Sequence, residues 1–235
     1  MDIRRAFSLN AAAYNDVNII QRRVAHRLVS KLTDRPARIL DIGCGRGGVY
    51  EALPYRPDRF VGIDFAEGML ALHPKGEHIT LLRRDFNAPD AFEGLAHFRF
   101  DRIISASALQ WAKDLDAVLA RIAAFNVPVS LALFTSGTFQ TLYETACLPP
   151  LLRSREETQR LLEKHFAQTP ETLRYTLHFD SVREMFRYMK RSGVGAGRNV
   201  LRYRDMKRLM QTYPLGYLEY EIVVLHQPAI KLFEI

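Results

Sequence analysis

Apolar residues along the first part of the chain come in short blocks, each closed by a polar residue or a glycine. Five such blocks are Arg38-Ile39-Leu40-Asp41-Ile42, Phe60-Val61-Gly62-Ile63-Asp64, Ile79-Thr80-Leu81-Leu82-Arg83, Asp101-Arg102-Ile103-Ile104-Ser105 and residues 127–134. Their length and punctuation predict strands. Between them the period changes. Ile20, Val24, Leu28 and Leu32 step by four within 19–32, while Leu115, Val118, Leu119 and Ile122 share one face of 115–125, and 67–72 is a further helical stretch. Strands alternating with helices predict an α/β domain whose mainly parallel sheet is covered on both sides. Beyond Phe134 the pattern shifts to helices at 139–147, 156–166, 182–191 and 205–213, with strands at 172–179 and 217–225. Asp180-Ser181 supplies an N-cap signal for the third of these helices. The final pair of strands is expected to extend the sheet as an antiparallel edge, leaving the intervening helices as an inserted helical cap over the site.

Composition narrows the class. Of 235 residues, 48% are hydrophobic and 25% charged, as in an ordinary globular protein, and there is no repeat or low-complexity linker. The length suits one domain. The longest apolar stretch, 127–134, falls far short of the ~20 residues of a membrane span, and no signal-peptide block follows the first residues, so spanning and secretion are excluded. Cys44 and Cys147 are too few for a disulfide framework or a cysteine-based zinc site and fit a reducing cytoplasm. The net charge is +7, and between Arg183 and Arg208 nine basic residues face two acidic ones, an excess equal to that of the whole chain. Such a run is either a solvated helix face or a docking surface for something acidic: nucleic acid, a phosphate-bearing ligand or an acidic protein.

The most informative segment is Ile39-Leu40-Asp41-Ile42-Gly43-Cys44-Gly45-Arg46-Gly47-Gly48, which follows a strand and opens a helix. Its glycines permit a tight turn and a close ligand approach. Gly43, Gly45 and Gly48 satisfy the loose dinucleotide pattern, which alone is weak. Three carboxylates at successive strand ends sharpen it. Asp41 precedes the turn, where a diphosphate would gain nothing from an anion but an ammonium group would. Asp64 stands where a carboxylate can hold both hydroxyls of a ribose, and Asp85 where it can accept an adenine amino group while Phe86 packs on the ring.

That set, Asp41 to Gly47, then Gly62-Ile63-Asp64 with Met69, then Arg84-Asp85-Phe86, resembles the class I S-adenosylmethionine-dependent methyltransferases over about residues 38–134. The resemblance implies a Rossmann-like fold, S-adenosyl-L-methionine as cofactor and no metal. It implies that Asp41, Gly43 and Gly45 surround the methionine moiety, that Asp64, with Phe65 and Met69 nearby, holds the ribose, that Asp85 and Phe86 frame the adenine, and that Ser105 and Ala106 lie near the sulfonium.

The flanks extend the likeness. Ala6-Phe7-Ser8, Ala11 to Asn15, Gln21-Arg22-Arg23-Val24-Ala25, Ala108-Leu109-Gln110-Trp111 with Asp114-Leu115, Phe134-Thr135-Ser136-Gly137-Thr138-Phe139, the Lys190-x-x-Gly193-x-Gly195 turn and Tyr213-Pro214-Leu215 together are similar to the malonyl-acyl carrier protein O-methyltransferases of biotin synthesis. Two departures mark a divergent member: Asn15 where an acid is common, and no Pro-Gly-Gly turn around Asn126-Val127-Pro128. The resemblance divides the chain into a helical flank over 1–34, a cofactor core over 35–135, a cap and substrate region over 136–212 and terminal strands over 213–235. It adds Gln21 to the cofactor contacts and names Tyr14, Gln110 and Trp111 as catalytic candidates. The partner it implies is a malonyl-loaded acyl carrier protein, small and acidic, docking on Lys190, Arg191, Arg198 and Arg202, with no nucleic acid or membrane involved. A malonyl carboxylate is already ionised at pH 7, so its methylation asks for alignment and desolvation and not for a strong base. Competing readings are a related enzyme acting on another small acid or a lipid-like substrate, an RNA methyltransferase, and a non-catalytic nucleotide-binding protein. The missing base-handling motif counts against the RNA methyltransferase and the intact carboxylate set against the non-catalytic protein.

Overall fold

The computed structural model describes residues 18–192 and 203–229, without the side chains of 190–192 and 203–206. Strands β1 (Arg38–Ile42), β2 (Arg59–Asp64), β3 (Ile79–Arg83), β4 (Arg102–Ala106) and β5 (Val129–Phe134) run parallel. Strand β6 (Glu171–His178) pairs antiparallel with β7 (Tyr217–His226), which pairs antiparallel with β5. The sheet order is β3-β2-β1-β4-β5-β7-β6. The chain therefore moves outward one way from β1 and the other way from β4, and the crevice beyond the carboxyl ends of these two neighbours is the topological switch point where such sheets bind ligands.

Side-chain alternation sends successive strand residues to opposite faces. Ile39, Ile104, Ala132, Ile222 and Val224 enter one cluster with Ile20, Val24 and Leu28 of α1 (Ile19–Val29). Leu40, Ile103, Leu131 and Val223 enter a second cluster on the other face. Two short helices lie beside the site, α2 (Gly48–Ala52) and α3 (Glu67–Leu72). The second face is covered by α4 (Leu115–Ala123), whose first turn is capped by the Asp114 carboxylate accepting from the Ala117 N–H. A cap of this kind contributes ~1 kcal/mol.

The segment expected as a helical cap does more than cap. It holds α5 (Gln140–Thr145), then α6 (Arg155–His165), whose Leu161 and Leu162 join the α4 cluster as a layer helix, and then β6, which completes the sheet. On the α1 face, α7 (Val182–Ser192) and α8 (Tyr203–Thr212) pack through Met185, Met189 and Leu209, in the same cluster as Leu142 of α5. The absent Pro-Gly-Gly turn also has a physical substitute. Asn126 takes the left-handed conformation, φ 51°, that a glycine would otherwise supply, and strand pairing starts just beyond it, where the Ile103 N–H donates to the Pro128 carbonyl at 3.1 Å. At the other end of the parallel strands from the crevice, fully buried Arg102 donates to Asp34 Oδ2 at 2.7 Å and to the Gln227 carbonyl at 2.6 Å, tying α1's exit to the end of β7. No helix among the described residues is long and apolar enough to cross a membrane.

Candidate functional site

The glycine turn leaves β1 at Ile42. Gly43, Gly45 and Gly47 all have positive φ, at 73°, 53° and 93°. Gly43 is doubly constrained, because a Cβ there would lie 2.2 Å from the Ala108 Cβ in the loop after β4. The amides of the turn look inward. Gly43 and Cys44 N–H groups both donate to the Ile63 carbonyl, at 2.8 and 3.1 Å, Gly45 N–H donates to Asp64 Oδ2 at 3.0 Å, and Gly47 N–H donates to the Cys44 carbonyl. A diphosphate-binding turn directs such donors at its ligand. This one commits three of them to β2 and the fourth to the turn itself, which separates it from the dinucleotide pattern that its glycines also match.

A cavity lies over the turn, walled by Asp41, Gly43 to Arg46, Asp64 to Ala66, Met69 and Phe86, roofed by Asn18, Gln21 and Arg22 of α1's first turn, and closed by Ala106, Ser107, Ala108 and Trp111. Among the described residues, both Asp41 oxygens, Asn18 Oδ1 and Gln21 Oε1 are shielded from solvent and have no hydrogen-bond partner. Burial, and then the Asp64 carboxylate, push the Asp41 carboxyl well above the ordinary range. A group left in that condition is matched by a cationic donor. Asp64 is held differently: its Oδ2 accepts from Gly45 N–H and its Oδ1 from Ala66 N–H at 2.8 Å, which fixes the carboxylate plane while leaving one lone pair per oxygen for a diol. Burial still raises its carboxyl, against those two amides. Cys44 is a packing residue. A Cβ on Gly62 would lie 2.7 Å from its Sγ, and burial beside Asp41 and Asp64 keeps the thiol protonated.

The structure brings Gln21, Asp41, Gly43, Gly45, Asp64, Phe65, Met69, Phe86, Ala106 and Trp111 into one lining. It places three expected residues elsewhere. Ser105 is fully buried inside β4, its Oγ donating to the Ile42 carbonyl at 2.7 Å. Asp85 turns Oδ1 to the Asn87 N–H and side-chain amide, both at 3.0 Å, closing a turn outside the lining. Gln110 folds back so that Nε2 donates to the Ser107 carbonyl at 2.7 Å. Tyr14, Arg198 and Arg202 lie outside the described residues, as do the side chains of Lys190 and Arg191. Asn18 and Ser107 were not expected. Asn18 occupies the N-cap position of α1, where its side chain would ordinarily cap the helix, yet it makes no cap hydrogen bond.

Comparison with known proteins agrees with this geometry. A family model described as a methyltransferase domain matches residues 40–128. The malonyl-acyl carrier protein O-methyltransferase of Geobacter sulfurreducens is 31% identical over 238 residues, covering 90% of this chain and 89% of that protein. The enzyme of the same name from Halorhodospira halophila is 27% identical over 95% of this chain and 86% of its own length. Among solved structures, the YcgJ protein of Bacillus subtilis has a TM-score of 0.57 at 15% identity over 86% of this chain and 95% of that one. A Haemonchus contortus phosphoethanolamine N-methyltransferase, solved with S-adenosylhomocysteine, has a TM-score of 0.55 at 16% identity, over 97% of this chain and 61% of that one. At these identities the structural likenesses show the fold.

Proposed function

The chain belongs to the malonyl-acyl carrier protein O-methyltransferases, and on that premise we propose that it methylates the free carboxylate of a malonyl thioester carried on acyl carrier protein, an early step in making the pimeloyl chain of biotin. It is an S-adenosylmethionine-dependent methyltransferase of class I. The observation that carries the reading is the condition of the cavity's acceptors. Four buried acceptor atoms, from Asp41, Asn18 and Gln21, have no hydrogen-bond partner among the described residues, and the ammonium of a methyl donor supplies one to Asp41.

When bound, S-adenosylmethionine provides an electrophilic methyl group. The chain's residues do the rest by position. Asp41 accepts from the ammonium, Asp64 from the ribose hydroxyls, and Phe86 packs on the adenine. Trp111, Ala106 and the first turn of α1 enclose the space above, where a carboxylate loses water and is aligned for in-line attack. No side chain is required as a general base, because the nucleophile is ionised at neutral pH. Tyr14 is our candidate for the carboxylate contact from the N-terminal flank. The basic segment serves as the landing surface for the acidic carrier. Its described members Arg183 and Arg187 on α7, and Lys207 and Arg208 on α8, are exposed. The enzyme works in the cytoplasm, where the carrier is loaded.

The test is label transfer from methyl-labelled S-adenosylmethionine to malonyl-carrier protein, malonyl-CoA and bulk tRNA in parallel. Base-labile label on the malonyl thioesters is expected; label in RNA alone, or in none of them, refutes the reading.

A further inference from the structure

The loop after β4 holds a hydroxyl with no structural employment. Ser107 has φ 64°, a left-handed conformation unusual for a residue other than glycine, asparagine or aspartate. Its backbone is fixed at both ends: the N–H donates to the Ala132 carbonyl at 2.9 Å, and the carbonyl accepts from Gln110 Nε2 at 2.7 Å. The next residue, Ala108, is wedged against Gly43, leaving no room for the loop to relax toward the turn. Ser107 lines the cavity between Ala106 and Trp111, and its Oγ is shielded from solvent and has no hydrogen-bond partner among the described residues. Ser105, two residues earlier, uses its hydroxyl inside the sheet. Strained backbone held by two independent hydrogen bonds, presenting one unsatisfied donor at a cavity wall, is how a fold pre-positions a ligand contact.

We infer that the Ser107 hydroxyl donates a hydrogen bond to the substrate carboxylate, holding the oxygen that does not attack, and that Gln110 acts as a positioning residue by fixing the Ser107 carbonyl. This rests on the carboxyl-methylation reading above. The acceptors Asp41, Asn18 and Gln21 line the same cavity and receive the cationic donor, while Ser107, a hydroxyl beside Trp111, meets the anion. A carboxylate oxygen is a strong acceptor, and one neutral donor to it suffices to orient the acid without quenching the nucleophile.

The experiment is steady-state kinetics with malonyl-CoA, alongside calorimetric titration of S-adenosylhomocysteine, on Ser107→Ala and Ser107→Gly. Both lose the hydroxyl, but only glycine relieves the left-handed strain, so the pair separates hydrogen bonding from folding. Each is expected to raise KM for malonyl-CoA by about tenfold to a hundredfold, with S-adenosylhomocysteine affinity within about twofold of the parent. Gln110→Ala moves KM in the same direction and adds little on top of Ser107→Gly. An unchanged KM in either serine variant overturns the assignment, as does a matching loss of S-adenosylhomocysteine affinity, which would put the hydroxyl on the cofactor. Failure of the parent protein to methylate malonyl-CoA and malonyl-carrier alike overturns the underlying reading and the inference with it, before any variant is compared.

Discussion

Asp41 is the residue whose environment says most about the ligand. With both oxygens buried and unpartnered, its ionised form destabilises the ligand-free fold. Because the folded-state pKa lies above the unfolded value, this group favours folding below about pH 4 and that contribution is lost as pH rises through the folded pKa. Asp41→Asn is therefore expected to raise the ligand-free melting temperature at pH 7.5 by about 2 °C or more, while weakening S-adenosylhomocysteine binding at least about tenfold in calorimetry. Gly43→Ala should do the reverse to stability: a Cβ 2.2 Å from that of Ala108, on a residue at φ 73°, costs about 1–3 kcal/mol in urea melts and also narrows the cavity. Asp41, Gly43 and Asp64 were legible in the sequence because each sits at the junction of an apolar run and glycines, where chain geometry leaves few roles. Asn18 and Ser107 were not. An asparagine before a helix reads as a cap and a serine between alanines reads as loop, and only the assembled structure shows that Asn18 Oδ1 and Ser107 Oγ are buried without a partner among the described residues.

At the scale of elements, the strands were readable because burial on both faces writes a continuous apolar run, and α1 and α4 because a one-sided burial writes a period near four. What α6 does was not readable. The leucines of α6 would suit a cap as well as a layer helix, and its place against α4 follows from long-range packing that no local pattern encodes. Buried Arg102 is a second such case: a lone arginine in an apolar strand gives no sign of Asp34 or Gln227, which lie far along the chain. Arg102→Met removes one partner and leaves the Asp34 carboxylate without its closest cation. We expect about 3 kcal/mol lost in urea unfolding. S-adenosylhomocysteine affinity of the folded fraction should stay unchanged, since the network sits at the amino end of β4, away from the crevice at the carboxyl ends.

Across the whole molecule the charge is unevenly spread. The cavity lining holds the acids Asp41 and Asp64 together with Arg22 and Arg46, and the excess of basic residues lies in the sequence between Arg183 and Arg208, with Arg183, Arg187, Lys207 and Arg208 exposed. Charge complementarity of this kind acts on association rate and is screened by salt. Raising ionic strength from about 0.05 to about 0.3 M, which shortens the screening length a little over twofold, should lower kcat/KM for malonyl-carrier protein several-fold more than for malonyl-CoA. Glu substitutions at Arg183, Arg187 and Lys207 should reproduce that selectivity at low salt, and an equal loss on both substrates would remove the docking role. The central claim is that the methyl group ends on the malonyl carboxylate of the carrier-bound thioester. The most direct measurement is intact-mass spectrometry of malonyl-carrier protein after incubation with the enzyme and S-adenosylmethionine. The account predicts the mass gain of one methyl group, confined to the malonyl moiety and removed by mild base. A carrier of unchanged mass, with the enzyme competent to bind S-adenosylhomocysteine, would contradict it.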